Sequence, residues 1–129
     1  MKILVIDDSK TVRKSLHVVL KNSNHEIFEA ENGIEGLAKA FDIKPNLIFI
    51  DVMMPRLDGF QLCQVLKKRP WAKEMFLCML TGKDTLLDRA KVKNYGADFL
   101  IIKPFNSKNL IDFITKIENK TFSEKISLS

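Results

Sequence analysis

Residues 47–59 read LIFIDVMMPRLDG, and this stretch decides the fold. Its first four residues form a continuous apolar run, which is typical of a strand buried on both faces of a parallel sheet. An acid, Asp51, follows the run directly. Asp58 precedes Gln61 by three residues, which is the spacing of a capping box at the start of a helix. The stretch therefore predicts a buried strand, a loop that begins with a carboxylate, and a helix that begins near Asp58.

Four further apolar runs alternate with helix-like segments along the chain, at residues 3–6, 25–28, 76–80 and 99–102. The run at 25–28 is more polar than the others, which indicates an edge strand. Strands that alternate with helices predict a parallel sheet covered by helices on both faces. The predicted fold class is therefore doubly wound α/β, and we expect the five strands in the common order 2-1-3-4-5.

The segments between the runs carry apolar residues at helical spacing, and each such face should pack against the sheet. The five faces are Val12, Leu16, Val19 and Leu20; Ile34, Leu37, Ala38 and Phe41; Cys63 and Leu66; Leu86, Leu87 and Ala90; and Leu110, Phe113, Ile114 and Ile117. Periodicity is lost after the last face, where Ser and Lys are frequent. We therefore expect one domain over residues 1–118 and a flexible tail over residues 119–129.

The composition is that of a soluble globular domain. Hydrophobic residues make up 46% of the 129 residues and charged residues 29%, values that argue against a disordered chain. The net charge of +5 comes from lysines that are spread over many segments. A solvated lysine-rich surface explains this charge best, so nucleic acid is not an expected partner.

The sequence also predicts a protein of the cytoplasm with no membrane partner. No apolar run approaches the roughly 18 residues of a membrane span. The short apolar run at the N-terminus is followed at once by acids, unlike a signal peptide. Cys63 and Cys78 lie inside apolar stretches, so we expect buried, reduced thiols rather than a disulfide.

Chemically reactive side chains follow four of the five predicted strands, at the point where each strand ends. Asp7 and Asp8 follow the first strand, Asp51 the third, Thr81 the fourth and Lys103 the fifth. In the expected order, strands 1 and 3 are neighbours and strands 4 and 5 come next. Since ligands bind at the carboxyl ends of parallel strands near the switch point, these side chains should converge on one pocket.

Each of these features is common for purely structural reasons: an acid pair after a strand is often a helix cap, and Thr at a strand end is usually structural. Their coincidence at one edge of the sheet is the signal. Clustered carboxylates repel, and a hard cation such as Mg²⁺ relieves that repulsion. A carboxylate can also be the nucleophile of phosphoryl transfer, and the Lys103 ammonium and Thr81 hydroxyl would neutralise and position the phosphoryl group.

These residues resemble the receiver domains of bacterial two-component response regulators, the CheY-like family with a flavodoxin-like fold. The resemblance covers residues 1 to about 118 and is carried by residues 5–9, 51–59, 80–82, 96–97 and 103–105. Residues 8–13, 53–63, 82–84 and 88–91 resemble more narrowly the stand-alone receivers of twitching motility and chemotaxis-type systems.

The resemblance implies a set of site residues. It implies Mg²⁺ bound by Asp8, by Asp7 partly through water, by Asp51 and by the backbone carbonyl of Met53. It implies Asp51 as the phosphoacceptor, with Thr81 and Lys103 as the pair that senses the phosphoryl group. It further implies a cis peptide bond before Pro104, and a small residue after the sensing threonine, which Gly82 provides.

The resemblance also implies partners. A histidine kinase or phosphotransfer protein would supply the phosphoryl group. A downstream protein would bind the face built by helix 4, strand 5 and helix 5, near residues 86–95, 98–102 and 107–117. We expect a monomer or weak dimer that signals by protein contact, and a binding module rather than a conventional enzyme.

One position departs from the family pattern. Three residues before Lys103 the family usually carries an aromatic side chain, and here it is Leu100. Phe99 points to the opposite face of the strand and cannot replace it without a change of register. We therefore expect weaker coupling between phosphorylation and output than in a relative with tyrosine.

Two other functions stay open. The first is a phosphate-independent scaffold that has kept the receiver fold, which Leu100 favours and the full acidic pocket disfavours. The second is an aspartyl-nucleophile phosphatase of the haloacid-dehalogenase type. That class carries its nucleophile at the end of the first strand and its acid–base residue two positions later. Here the residue two positions after Asp7 is Ser9, which cannot act as that acid–base group.

Overall fold

Strands and helices alternate along the chain in the computed structural model, which describes residues 1–21, 23–54, 57–82, 90–92, 94–119 and, for the backbone only, 127–128. The strands are β1 (Lys2–Ile6), β2 (Glu26–Ala30), β3 (Leu47–Asp51), β4 (Phe76–Thr81), β5 (Phe99–Ile102) and β6 (Ser127–Leu128). The helices are α1 (Lys10–Leu20), α2 (Gly33–Ile43), α3 (Gly59–Lys67) and α5 (Ser107–Asn119), with a 3-10 turn at Pro70–Ala72. Residues 90–92 and 94 are also helical, and we label them α4.

The strands form one parallel sheet in the order β2-β1-β3-β4-β5-β6. The predicted order of the first five strands is confirmed, and β2 is an edge strand as expected. In the part of the chain that is described, β6 adds a sixth strand, where residues 127 and 128 pair with Leu100 and Ile101 of β5. A strand of two residues has no recognisable sequence pattern, and the open edge of β5 offers backbone groups for pairing.

The end of the predicted domain is only partly described. Helix α5 runs to Asn119, one residue beyond the predicted boundary at 118. Residues 120–126 and 129 lie outside the described residues, so the predicted tail over 119–129 stays a prediction.

Side chains of the central strands alternate between two apolar layers. Leu4, Ile6, Ile48 and Ile50 face α2, α3 and α4, whereas Ile3, Val5, Leu47 and Phe49 face α1 and α5. All eight are fully buried, and burial of each such side chain stabilises the fold by about 1.5–3 kcal/mol. The predicted apolar faces of α1, α3 and α5 lie in these layers, so those three predictions are confirmed.

The predicted apolar face of α2 is confirmed at Leu37, which packs against the core, and is wrong at its other three positions, which are exposed. Ile34 is 57% exposed and Phe41 is 41% exposed, while the buried positions of the helix are Gly33, Gly36 and Ala40. A Cβ atom on Gly36 would lie only 2.5 Å from Cδ1 of Ile6. Helix α2 therefore approaches the sheet on its glycines, and its larger apolar side chains are turned partly toward solvent.

The helices next to the strand ends begin with side-chain caps. Asp58 Oδ1 accepts a hydrogen bond from Gln61 N at 2.8 Å, and Gln61 Oε1 accepts one from Asp58 N at 3.3 Å, which confirms the predicted capping box. Ser9 Oγ accepts from Val12 N at the start of α1. Asn106 Oδ1 accepts from Lys108 N at 2.8 Å, so Asn106 caps α5. These caps fix where each strand-to-helix loop ends.

Both cysteines are buried and unpaired, as predicted. Burial raises the pKa of the Cys63 thiol to about 12 and raises that of Cys78 well above its usual value. Both side chains therefore behave as apolar core residues rather than reactive thiols. Within the described ranges, no helix is both long and apolar enough to cross a bilayer.

The close approach of α2 generates a stability prediction. Gly36→Ala should lower the free energy of unfolding by about 1–2 kcal/mol, because overpacking against the buried side chain of Ile6 outweighs the gain in helix propensity. The matched control is Gly82→Ala, since a Cβ atom at Gly82 meets no atom within 4 Å. Urea unfolding of the three proteins measures the difference. If Gly36→Ala is as stable as the natural protein, α2 does not pack on its glycines.

Candidate functional site

The ends of four parallel strands bring the predicted site residues to one edge of the sheet. Ile6 pairs with Ile50, and Asp51 with Leu80, so the residues that follow these strands are neighbours. At the next pair of strands, Lys103 N donates to Thr81 O at 2.7 Å. Asp7 is fully buried, Asp51 is 5% exposed and Thr81 is 4% exposed, whereas Asp8 faces solvent.

Lys103 is the cation at the centre of this arrangement. Its Nζ lies 2.9 Å from Asp7 Oδ2 and 3.4 Å from Asp51 Oδ1. Burial alone would lower the pKa of Lys103, but the two carboxylates outweigh burial and the net pKa is raised. Lys103 therefore stays protonated and holds two acids that would otherwise repel each other.

Asp51 is a weaker acid than an ordinary aspartic acid. Burial and the neighbouring Asp7 carboxylate raise its pKa from 3.8 to about 6, and the attraction of Lys103 only partly opposes them. Its Oδ1 accepts a hydrogen bond from Met53 N at 3.2 Å. A carboxylate with this pKa is ionised at neutral pH but close to the point at which it takes up a proton.

The acids fit a small divalent cation. One carboxylate oxygen from each of Asp7, Asp8 and Asp51 lies within 4.8 Å of the others, and oxygens on opposite sides of an octahedral Mg²⁺ are about 4 Å apart. Asp7 Oδ2 is buried and, although it is paired with Lys103, it accepts no hydrogen bond of favourable angle from the described residues. A cation with its waters would satisfy this oxygen. Met53, whose backbone carbonyl is the fourth predicted ligand, lies beside the cluster through its contact with Asp51.

The loop that follows Asp51 is fixed by backbone contacts. Val52 N donates to Leu80 O at 2.9 Å, and Gly59 N donates to Val52 O at 3.2 Å. A Cβ atom on Gly59 would overlap the carbonyl oxygen of Asp51, so only glycine lets α3 begin this close to the acid. Pro55 and Arg56, in the middle of the loop, lie outside the described residues.

The remaining family features have the expected geometry where they are described. The peptide bond between Lys103 and Pro104 is cis, as predicted. No atom lies within 4 Å of the position that a Cβ on Gly82 would take, which fits the prediction of an open position after Thr81. Residues 83–89 and 93, which include much of the predicted fourth helix and of the expected output face, lie outside the described residues.

Leu100 is buried on the α3 and α4 side of the sheet, in the same apolar layer as Val92 and Met79. Phe99 is 1% exposed and lies in the opposite layer. The predicted register of β5 is therefore confirmed, and Phe99 cannot take the place of the aromatic residue that Leu100 replaces. The strength of coupling through Leu100 stays a prediction.

The sequence did not single out a role for Arg13 on α1 or for Glu29 on β2. Arg13 Nη1 donates to the carbonyl oxygen of Asp7 at 2.6 Å, and its Nε donates to Glu29 Oε1 at 3.3 Å. The first partner is a backbone group, and the second lies 16 positions along the chain, in strand β2. Neither contact leaves a periodic signal in the sequence.

Comparisons with known proteins agree with this geometry. The family model for the response regulator receiver domain matches residues 3–115. Protein PilG of Pseudomonas aeruginosa is 42% identical over 114 residues, which cover 88% of this chain and 84% of PilG. The transcriptional regulatory protein ResD of Bacillus subtilis is 36% identical, and the match spans only 45% of its length. The structure of chemotaxis protein CheY4 of Vibrio cholerae superposes with a TM-score of 0.85 at 29% identity, over 90% of this chain and 97% of CheY4.

The raised pKa of Asp51 generates a prediction about stability and pH. In the absence of metal, the folded protein binds the Asp51 proton more tightly than the unfolded chain does. Protonation of Asp51 therefore stabilises the folded state at low pH, and this stabilisation is lost as pH rises through about 6. Asp51→Asn lacks it, so its stability relative to the natural protein should rise between about pH 4 and pH 7, by on the order of 2 kcal/mol.

Urea unfolding at a series of pH values in chelator-treated buffer measures this difference. The matched control is Asp112→Asn, which removes a carboxylate from the exposed side of α5 and should follow the natural protein at every pH. Parallel curves for Asp51→Asn and the natural protein would show that the pKa of Asp51 is not raised.

Proposed function

The chain belongs to the response regulator receiver domain family, and from this premise we propose that it is a phosphorylation-switched signalling domain. Asp51 accepts a phosphoryl group from a histidine kinase or phosphotransfer protein, and the changed surface binds a downstream protein. Similarity to PilG and to the chemotaxis protein CheY4 supports a receiver of the motility type. The proposed place of action is the cytoplasm.

One observation carries the proposal: a buried carboxylate, Asp51, is held 3.4 Å from the Lys103 ammonium and beside two further acids. An acid in this setting has a nearby cation to balance the charge of a phosphoryl group. It also has neighbours of the type that bind Mg²⁺. A solely structural ion pair between Lys103 and one acid would not need the other two carboxylates.

The proposed step is a direct phosphoryl transfer. An oxygen of ionised Asp51 attacks the phosphorus of the donor's phosphohistidine. The new P–O bond forms as the P–N bond breaks, and the imidazole, protonated on its other ring nitrogen, leaves as a neutral group with the electron pair of that bond. Met53 N, which donates to Asp51 Oδ1, and the Lys103 ammonium orient the acceptor and balance the growing negative charge.

Asp7, Asp8, Asp51 and the backbone carbonyl of Met53 would hold the ion. When bound, Mg²⁺ supplies positive charge that lets the carboxylates and the phosphoryl oxygens come together. Asp8 is the acid that faces solvent, whereas Asp7 is fully buried and paired with Lys103. This difference supports Asp8 as the principal ligand and Asp7 as a ligand that acts partly through water.

The proposed output follows from the position of Lys103 and Thr81. A phosphoryl group on Asp51 carries a charge of about −2 in place of the carboxylate's −1, and it competes with Asp7 for the Lys103 ammonium. Lys103 leads into α5, Thr81 ends β4, and the two are joined by a backbone hydrogen bond. A movement of either residue toward the phosphate would therefore also move parts of the face formed by α4, β5 and α5. We propose this face as the surface that a partner protein binds.

The proposal predicts phosphorylation of one residue. With acetyl phosphate and Mg²⁺, the intact mass of the natural protein should rise by one phosphoryl group, and chelation of the metal should abolish the rise because the acids then lack their counter-charge. Asp51→Asn should gain no phosphoryl group. The control Asp42→Asn, which removes an exposed carboxylate from α2, should react as the natural protein does.

Mass spectrometry of the intact proteins decides the outcome. An Asp51→Asn variant that gains the group at the natural rate would place the phosphoacceptor elsewhere. A natural protein that gains none, from acetyl phosphate or from a phosphorylated kinase, would favour the phosphate-independent scaffold instead.

A further inference from the structure

Arg13 joins the acidic loop after β1 to the neighbouring strand β2. Its guanidinium donates to the carbonyl oxygen of Asp7 at 2.6 Å and to Glu29 Oε1 at 3.3 Å. The side chain of Arg13 is only 12% exposed, and that of Glu29 is 38% exposed. A planar guanidinium can hold two acceptors in fixed directions, which a lysine ammonium cannot do with the same geometry. We call this two-ended contact the clamp: it joins a mostly buried guanidinium to a partly exposed carboxylate.

The Glu29 end of the clamp is itself fixed. His17 Nδ1 lies 3.3 Å from Glu29 Oε2, one helical turn along α1 from Arg13. The Lys39 ammonium donates to the backbone carbonyl of Glu29. The carboxylate that holds Arg13 is therefore attached to α1 at two places, and its strand is attached to α2.

The Asp7 end of the clamp sets the direction of a predicted metal ligand. The carbonyl that Arg13 holds belongs to the peptide unit between Asp7 and Asp8, so it fixes one side of Asp8. On the other side, Ser9 N donates to Asp7 Oδ1 at 2.8 Å. Asp8 is thus an exposed side chain on a three-residue loop whose two flanking peptide units are both anchored.

We propose that Arg13 is a positioning residue for the metal site: through its bridge to Glu29 it holds the Asp7–Asp8 peptide unit in the orientation that presents both carboxylates to one cation. This inference rests on the proposed function, because it takes the acids to be Mg²⁺ ligands. Arg13 does not touch the cation. It acts on metal affinity only through the loop.

The direction in which Mg²⁺ affinity changes when Arg13 is removed distinguishes a positioning role from a purely electrostatic one. Arg13 is a cation beside a cluster of acids. If it acted only through its charge, its removal would leave the acids with more uncompensated negative charge and would strengthen Mg²⁺ binding. If it positions the loop, its removal weakens Mg²⁺ binding in spite of that charge effect. A general loss of stability cannot produce either change in protein that stays folded at the temperature of measurement.

The experiment is calorimetric titration of the full chain with Mg²⁺ at constant ionic strength. The dissociation constant should rise about tenfold in Arg13→Gln, as is typical when a group that orients a metal ligand is lost. Lys14→Gln removes one charge from the next, exposed position of α1 and should bind Mg²⁺ as tightly as the natural protein or slightly more tightly. Arg13→Lys keeps the charge without the planar fork and should fall between natural protein and Arg13→Gln.

Thermal unfolding in the absence of metal checks that each variant is folded at the titration temperature. If Arg13→Gln is unfolded at that temperature, two other comparisons of Mg²⁺ affinity decide. The first compares Arg13→Lys with the natural protein. The second compares Glu29→Gln with Glu26→Gln, which removes an exposed acid from the same strand. Weaker Mg²⁺ binding in Arg13→Lys, and in Glu29→Gln beyond any change in Glu26→Gln, supports the clamp.

Two outcomes overturn the inference and are distinguishable. If the natural protein binds Mg²⁺ and the Arg13 variants bind it equally or more tightly, the clamp does not position the site, while the proposed function stands. If the natural protein binds no Mg²⁺, the proposed function fails, and this inference fails with it.

Discussion

Three carboxylates and one ammonium group share the carboxyl edge of the sheet, and the fold has to hold this unbalanced charge in place. Asp7, Asp8 and Asp51 bring oxygens within 4.8 Å of one another, and Lys103 contacts only two of them in the described structure. Two like charges about 4 Å apart repel by about 4 kcal/mol at the effective dielectric constant of a protein surface. The fold holds the acids together because they follow fully buried strands. Under the proposed function, a divalent cation or a phosphoryl group would meet a site whose charges are already in place.

Close contacts hold the elements around this edge in place. Glycine at position 59 lets α3 begin against the carbonyl of Asp51, and glycine at position 36 lets α2 lie close to Ile6 of β1. On the other side, Arg13 joins the loop after β1 to β2. The loop after β1, which carries Asp7 and Asp8, is therefore short and held on both sides of Asp8. We propose that such a site responds to added charge by moving Lys103 and Thr81 rather than by rearranging the acids.

The sequence predicts those parts of the structure that depend on local patterns. The buried strands are continuous apolar runs, and the reactive residues stand directly after them, so the strand order and the convergence of Asp7, Asp51 and Lys103 could be predicted. The buried side of α2 could not, because glycines make the contact and the apolar spacing points to Ile34 and Phe41 instead. The clamp of Arg13 was also missed, since its partners are a carbonyl group and a residue of another strand. The two-residue strand β6 has no sequence signal either.

The most direct test of the central claim, that the acids form a cation site held ready by the fold, is the free energy of unfolding as a function of Mg²⁺ concentration at constant ionic strength. A ligand that binds only the folded state stabilises it by RT ln(1 + [L]/Kd). Unfolding free energy should therefore rise by about 1.4 kcal/mol for each tenfold increase in Mg²⁺ above the dissociation constant. Replacement of Mg²⁺ by Na⁺ at the same ionic strength should remove the rise. A free energy that does not change with Mg²⁺, or that rises equally with Na⁺, would contradict the account.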